Sequence, residues 1–307
     1  MKRNIYSKLW MIFFVLMGAA CTNQVEDAIP VSGQPIEFSV QSDWKEILNT
    51  RSNDGKTHFA RDDKIQIFGF HKSSSGAEVK FMYRANDPKK RGQIVTFDGT
   101  NWNYSPKRFW PKEGKLDFYV SYPEYSVLND EENQKMTYEQ TINPLGVDLL
   151  WGVSPGLDCA TGRNTKVGVT MKHALARVDI LFDSSLLGKI KQAKVSAYKA
   201  GYFSETDTQR IPIWKVDTSD KTNIQEATVT PYQGLTTIDD ATVFILPDKI
   251  TGLKLTLLDG TEIDASKEIQ QYTFYAGKVY KLTISKGVQK KNTNSRSIAM
   301  SVRCVSE

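Results

Sequence analysis

Val167-Gly-Val-Thr-Met171 and Ala176-Arg-Val-Asp-Ile-Leu-Phe182 lie close together, and both place apolar side chains at every second position. A period of two gives a strand one buried face and one wet face. Working outward, the pattern recurs in Ile36-Glu-Phe-Ser-Val40, Lys64-Ile-Gln-Ile-Phe68, Leu253-Lys-Leu-Thr-Leu257 and Lys278-Val-Tyr-Lys-Leu-Thr-Ile284. Leu116-Asp-Phe-Tyr-Val-Ser-Tyr122 is a β-branched and aromatic run that ends at Pro123, and Thr242-Val-Phe-Ile-Leu246 stops at Pro247. Asp259-Gly260 marks a turn before Thr261-Glu-Ile. Many short strands split by turn residues predict an all-β fold of sandwiches or barrels. Helix signals are scarce. Trp44–Leu48 suits one turn, and Ser184–Gln192 reads as a short helix or a hairpin, with Gly188 opposing the helix.

The N-terminus reads as an export signal. Lys2, Arg3 and Lys8 precede the apolar run Leu9–Met17, followed by the small residues Gly18, Ala19 and Ala20 and then Cys21. The run is shorter than the roughly 20 residues that span a bilayer, so cleavage is expected. A cysteine directly after the small residues points to the bacterial lipoprotein signal, although Gly18 stands where Leu is usual. Acyl chains on Cys21 would anchor the chain stably, each buried CH₂ contributing roughly 0.8 kcal/mol. The expected division is a signal peptide over 1–20 and a polar tether over 21–35. Strand-rich halves follow over 36–160 and 161–286, split near the Gly-rich run 156–164, and 287–307 form a linker with a strand-like end.

The formal charge is +5 over 307 residues, and three of those charges belong to the signal. The remainder is no footprint of nucleic-acid binding. Beyond Cys21, Cys159 and Cys304 stand too far apart to read as a disulfide framework. His58, His71 and His173 have no second ligand at metal spacing, and no nucleophile elbow, P-loop or dinucleotide fingerprint occurs. Asp62-Asp63 and Glu131-Glu132 are adjacent, and neighbours on a strand face opposite ways, so neither pair makes an acid–base site. No catalytic residue, metal or cofactor is therefore expected. Trp102, Tyr104, Phe109 and Trp110 cluster within nine residues. Such clusters stack on sugars in some surface proteins but more often fill a core, and the core is expected here. His173 reads as a packing or strand-end histidine.

Taken in order, several motifs resemble the fimbrillin family, pilus subunits and relatives of Bacteroidales. Phe59-Ala-Arg-Asp-Asp-Lys-Ile-Gln-Ile-Phe68 is similar to an early family strand. Trp102-Asn-Tyr104, Arg108-Phe-Trp-Pro111 and Leu116-Asp-Phe-Tyr119 with Pro123 are similar to its most specific run. Asp148-Leu-Leu-Trp151, Lys172-His-Ala-Leu-Ala-Arg177 and Ala276-Gly-Lys-Val-Tyr280 are similar to later ones. Val120 stands where Ala is usual, and Met171 where Phe is usual.

The resemblance implies two tandem transthyretin-like β-sandwich domains and delivery to the outer membrane by the lipid. It also implies trimming by an arginine-specific protease, for which the expected cut lies between Arg51 and Ser52. Assembly would follow by addition of a strand from another subunit. Ser297–Val305 also resembles the terminal strand of another surface-lipoprotein domain. As a donor strand it would present Ile298, Met300, Val302 and Val305, and folding back onto its own domain stays open. The implied partners are the outer membrane and other fimbrial subunits at the cell surface. The alternative is a non-polymerising surface lipoprotein that binds a glycan or host ligand.

Overall fold

The computed structural model describes residues 29–42, 58–84, 87, 91–130, 135–139, 148–229, 241–286 and 300–306. Among them the chain is almost all β, as the period-two runs predict. Cys21, Arg51, Ser52, Ile298 and the single turn read at Trp44–Leu48 lie outside the described residues.

The largest sheet has eight strands. Its order is Phe38–Ser42, Val167–His173, Leu150–Asp158, Lys115–Tyr122, Lys64–Lys72, Gln93–Phe97 and Trp102–Asn103, with Glu78–Met82 also on Lys64–Lys72. The two end strands touch, and one face contributed by every strand encloses a single core. That core holds Phe38, Ile65, Ile67, Val95, Trp102, Tyr104, Trp110, Phe118, Val120, Val169 and Met171. Three of the four clustered aromatics are thus buried, and Phe109 alone is exposed. Gly152 sits where Val169 and Met171 lean in. A Cβ there would stand 2.6 Å from Val169 Cγ1, so the close approach of that strand depends on the missing side chain.

Two four-stranded sheets face each other across a second core. One runs Ala241–Ile245, Ala176–Phe182, Val279–Lys286, Met300–Ser306. The other runs Ile224–Val229, Ile190–Tyr198, Gly252–Leu257, Glu262–Asp264. Val178, Ile180, Val195, Ile245, Leu255 and Leu282 interdigitate between them. On the outer face, Arg177 Nε donates to Asp179 Oδ1 at 2.8 Å, and Thr242 Oγ1 donates to the same oxygen at 2.7 Å.

Val167–His173 lies beyond the division read at 160/161, yet it pairs with Phe38–Ser42 and Leu150–Asp158 in the first sheet. The change of partners falls instead at His173–Ala176. There His173 Nδ1–H donates to Asp148, Ala174 N–H donates to Leu149 O at 2.8 Å, and Trp214 Nε1–H donates to Ala174 O at 2.7 Å. The Gly-rich run near 156–164 is instead a strand end followed by a short helix, Cys159–Gly162. Asp158 caps it by accepting from the amides of Ala160 and Thr161. The end of the expected tether is also structured, since Val31–Pro35 pairs antiparallel with Phe109–Pro111.

A three-stranded sheet, Ala200–Phe203, Lys135–Glu139, Val127–Asp130, lies over the outer face of the eight-stranded one. Phe68, Trp151, Leu175, Phe203 and Leu246 make a third core that joins the two halves. Gln66 is fully buried. Its amide donates to Ser121 Oγ at 2.8 Å and to Val127 O at 2.7 Å, which ties the covering hairpin to the large sheet.

Candidate functional site

Three features on this frame bear on function: a seam filled by the first strand, the docked C-terminal strand, and an open cleft.

The segment 31–42 lies in the seam. Its first half pairs with Phe109–Pro111 and its second runs parallel to Val167–His173, with Phe38 opposite Val167 and Val40 opposite Val169. Both flanks hold it. Ile36 N–H donates to Arg108 O at 2.8 Å, and Val167 N–H donates to Glu37 O at 2.7 Å. The Tyr104 hydroxyl donates to Ile36 O at 2.8 Å and accepts from Arg108 N–H at 3.3 Å. Burial keeps that phenol above its ordinary pKa. Ile36, Phe38 and Val40 point into the core, where Phe38 meets Phe118 edge-on with ring centres 5.2 Å apart.

The C-terminal strand docks in cis. Met300–Ser306 runs antiparallel to Val279–Lys286, with Met300 opposite Lys286, Val302 opposite Ile284 and Cys304 opposite Leu282. Cys304 packs against the second core, whereas Val305 is 46% exposed. The alternation therefore brings Cys304 inward and turns Val305 out in this docked position. The apolar character of valine hides this, because only the register fixes which face it takes. Cys159 and Cys304 are both free. Burial pushes the Cys159 thiol up to about 11, and burial raises Cys304 as well, so neither is poised as a nucleophile.

The cleft opens between the outer face of the large sheet and the segment after Phe203. It has a volume of about 720 Å³. Phe70, Tyr119, Trp151 and Phe203 form a ring ladder along it, with Tyr119 and Trp151 stacked at 6.0 Å. Asn129 also lines it. The period-two pattern alone does not reveal this face. Phe118 and Val120 supply one core while Tyr119 lies on the opposite face, and a run apolar on both faces was the available signal.

Among the described residues no group of three or more His, Cys, Asp or Glu is placed to hold a metal ion. No described helix is long and apolar enough to cross a membrane.

The sequence profile of the family described as Fimbrillin-like matches residues 50–300. No curated protein matches the chain. Solved structures do. A candidate cell adhesion protein from Bacteroides uniformis is 16% identical, with a TM-score of 0.52 over 89% of this chain and 98% of that one. Another from Bacteroides ovatus is 13% identical, with a TM-score of 0.51 over 88% of this chain and 95% of that one. At these identities the likeness is one of fold. The fimbrial anchor protein Mfa2 from Porphyromonas gingivalis is 11% identical over 89% of this chain and 96% of that one. Its TM-score of 0.40 is too low to carry an argument.

Proposed function

This chain belongs to the fimbrillin-like family, a structural family rather than an enzymatic one, and we propose that it is a surface fimbrial component that assembles by strand addition. The observation that carries the proposal is the seam. A cut between Arg51 and Ser52 would release the segment that contains Val31–Ser42. Phe109–Pro111 and Val167–His173 would then lose their partner, and the core would lose Ile36, Phe38 and Val40. The result is a groove of unpaired backbone groups with pockets for alternate side chains, which is what an incoming strand needs.

A donor is at hand in Met300–Ser306. Antiparallel neighbours can be joined by as few as two residues, yet residues 287–299 separate this strand from Val279–Lys286. A connection of that length leaves room for the strand to reach another copy, in the manner of a domain swap. Acylation of Cys21 would carry the chain to the outer membrane and hold it at the cell surface at least until trimming.

The N-terminus of protein extracted from the cell surface tests the route. A start at Ser52 is the expected result for a trimmed subunit, and an acylated Cys21 is expected for an anchor. Cross-linking tests the assembly: deleting residues 295–307 should abolish the ladder of linked copies, and an unchanged ladder sinks strand addition. The cleft favours a second reading, a lipid-anchored surface protein that binds its ligand without polymerising.

A further inference from the structure

The cleft on the outer face of the large sheet is not explained by either terminal strand. Its floor is aromatic, and its banks carry charge in balance. Glu78 and Lys80 stand on one side, and Glu205 and Arg210 on the other. One acid and one base per bank leave no net field to select a strongly charged ligand. Arg210 is held in place by donating from Nη1 to Val153 O at 2.9 Å. At about 720 Å³ the space lies within the range of small-molecule sites.

Asn129 is the decisive side chain. It is 7% exposed and its side chain lines the cleft. The indole Nε1–H of Trp151, on the same wall, is buried without a partner. Buried polar groups are normally satisfied, and those that are not need an explanation. An amide offers both a donor and an acceptor, and it asks for a group that can be both. A hydroxyl is such a group.

We infer that this cleft is a binding site for a neutral carbohydrate. Ring C–H faces would lie against Tyr83 and Tyr119, and vicinal hydroxyls would satisfy Asn129 and meet the charged groups of the banks. Sugars combine an apolar face with hydroxyls that donate and accept, and the cleft offers aromatic faces beside paired polar groups. The inference does not rest on strand addition, because the cleft lies on the face away from the seam: chain lacking residues 295–307 should bind as well as the intact chain.

The test uses the purified full chain. Saturation-transfer NMR and calorimetry are run with a panel of neutral tri- to hexasaccharides, their sulfated counterparts, and a proline-rich decapeptide. The expected result is binding of at least one neutral oligosaccharide. Tyr83→Ala should weaken it by about tenfold, since it removes a stacking face. Asn129→Leu, of similar size, should also weaken it by tenfold or more while leaving the melting temperature unchanged or raised, because it removes a polar group that serves the cleft. Three results overturn the inference: no transfer to any neutral sugar at millimolar concentration, binding confined to the peptide or to sulfated sugars, or affinity untouched by both variants. A melting temperature lowered by several degrees in Asn129→Leu would also overturn it, since the amide would then be serving the fold.

Discussion

The first and the last described segments, 31–42 and 300–306, both pair as strands but are held differently. The segment 31–42 is gripped on two flanks and sinks Ile36, Phe38 and Val40 into a core. The strand Met300–Ser306 is gripped on one flank, with Cys304 half-buried and Val305 turned out to solvent. Backbone pairing is common to both, and the described side chains differ: Ile36, Phe38 and Val40 are buried, whereas Val305 is exposed. A strand that fills the core with three side chains costs more to displace than one that turns a valine out to solvent.

The largest expected effect tests the first half of that contrast. Phe38→Ala should cost about 3–5 kcal/mol in urea unfolding, as for other buried aromatics. A loss below about 1 kcal/mol would mean the seam is not part of the core. Next comes Gly152→Ala. Its Cβ must displace Val169 or Met171, which form the wall of the seam, and about 1–3 kcal/mol of overpacking is expected. Tyr104→Phe should cost about 1–2 kcal/mol by leaving Ile36 O without its donor. This phenol has a folded pKa raised by burial, so its stabilising contribution is full below its unfolded pKa of about 10 and fades as pH rises through the higher folded value. The Phe variant should therefore show a shallower loss of stability above pH 10.

The smaller effects test the margin. Val305→Ala should change stability by no more than about 0.5 kcal/mol. Alkylation followed by peptide mass spectrometry sharpens the same point. On undocking, the Cys304 thiol returns towards the ordinary pKa of about 8.5, so it should label at the rate at which the strand opens. Cys159, held at about 11, should stay unlabelled at pH 8 until the large core unfolds. Equal labelling of the two would erase the distinction between the segments.

Much of this was legible in the sequence. Alternation located Lys64–Lys72, Lys115–Tyr122, Ala176–Phe182 and Val279–Lys286, because each sends every second residue into a core. The division of the chain was less so. Val167–His173 alternates in the same way whichever sheet it joins, and its partner Phe38–Ser42 is remote in sequence, so local pattern carried no information on the pairing. The helix Cys159–Gly162 was hidden because its signal is a single capping aspartate, Asp158, in a run of small residues. The export signal at Cys21 is a local pattern and the cut between Arg51 and Ser52 follows from the family resemblance, so both stay proposals from the sequence, whereas the cleft arises only when Tyr119, Asn129 and Phe203, from three separate strands, come together.

Being clasped from both sides has a kinetic meaning for the segment 31–42. A strand held by backbone pairing alone can peel away residue by residue, but one bonded to Arg108 and Tyr104 at Ile36 and to Val167 at Glu37, with Ile36, Phe38 and Val40 in the core, must break both sets of bonds and empty those pockets to leave. Whatever occupies that position is then retained by a barrier to unfolding, and its hold is measured as a lifetime and not as an affinity.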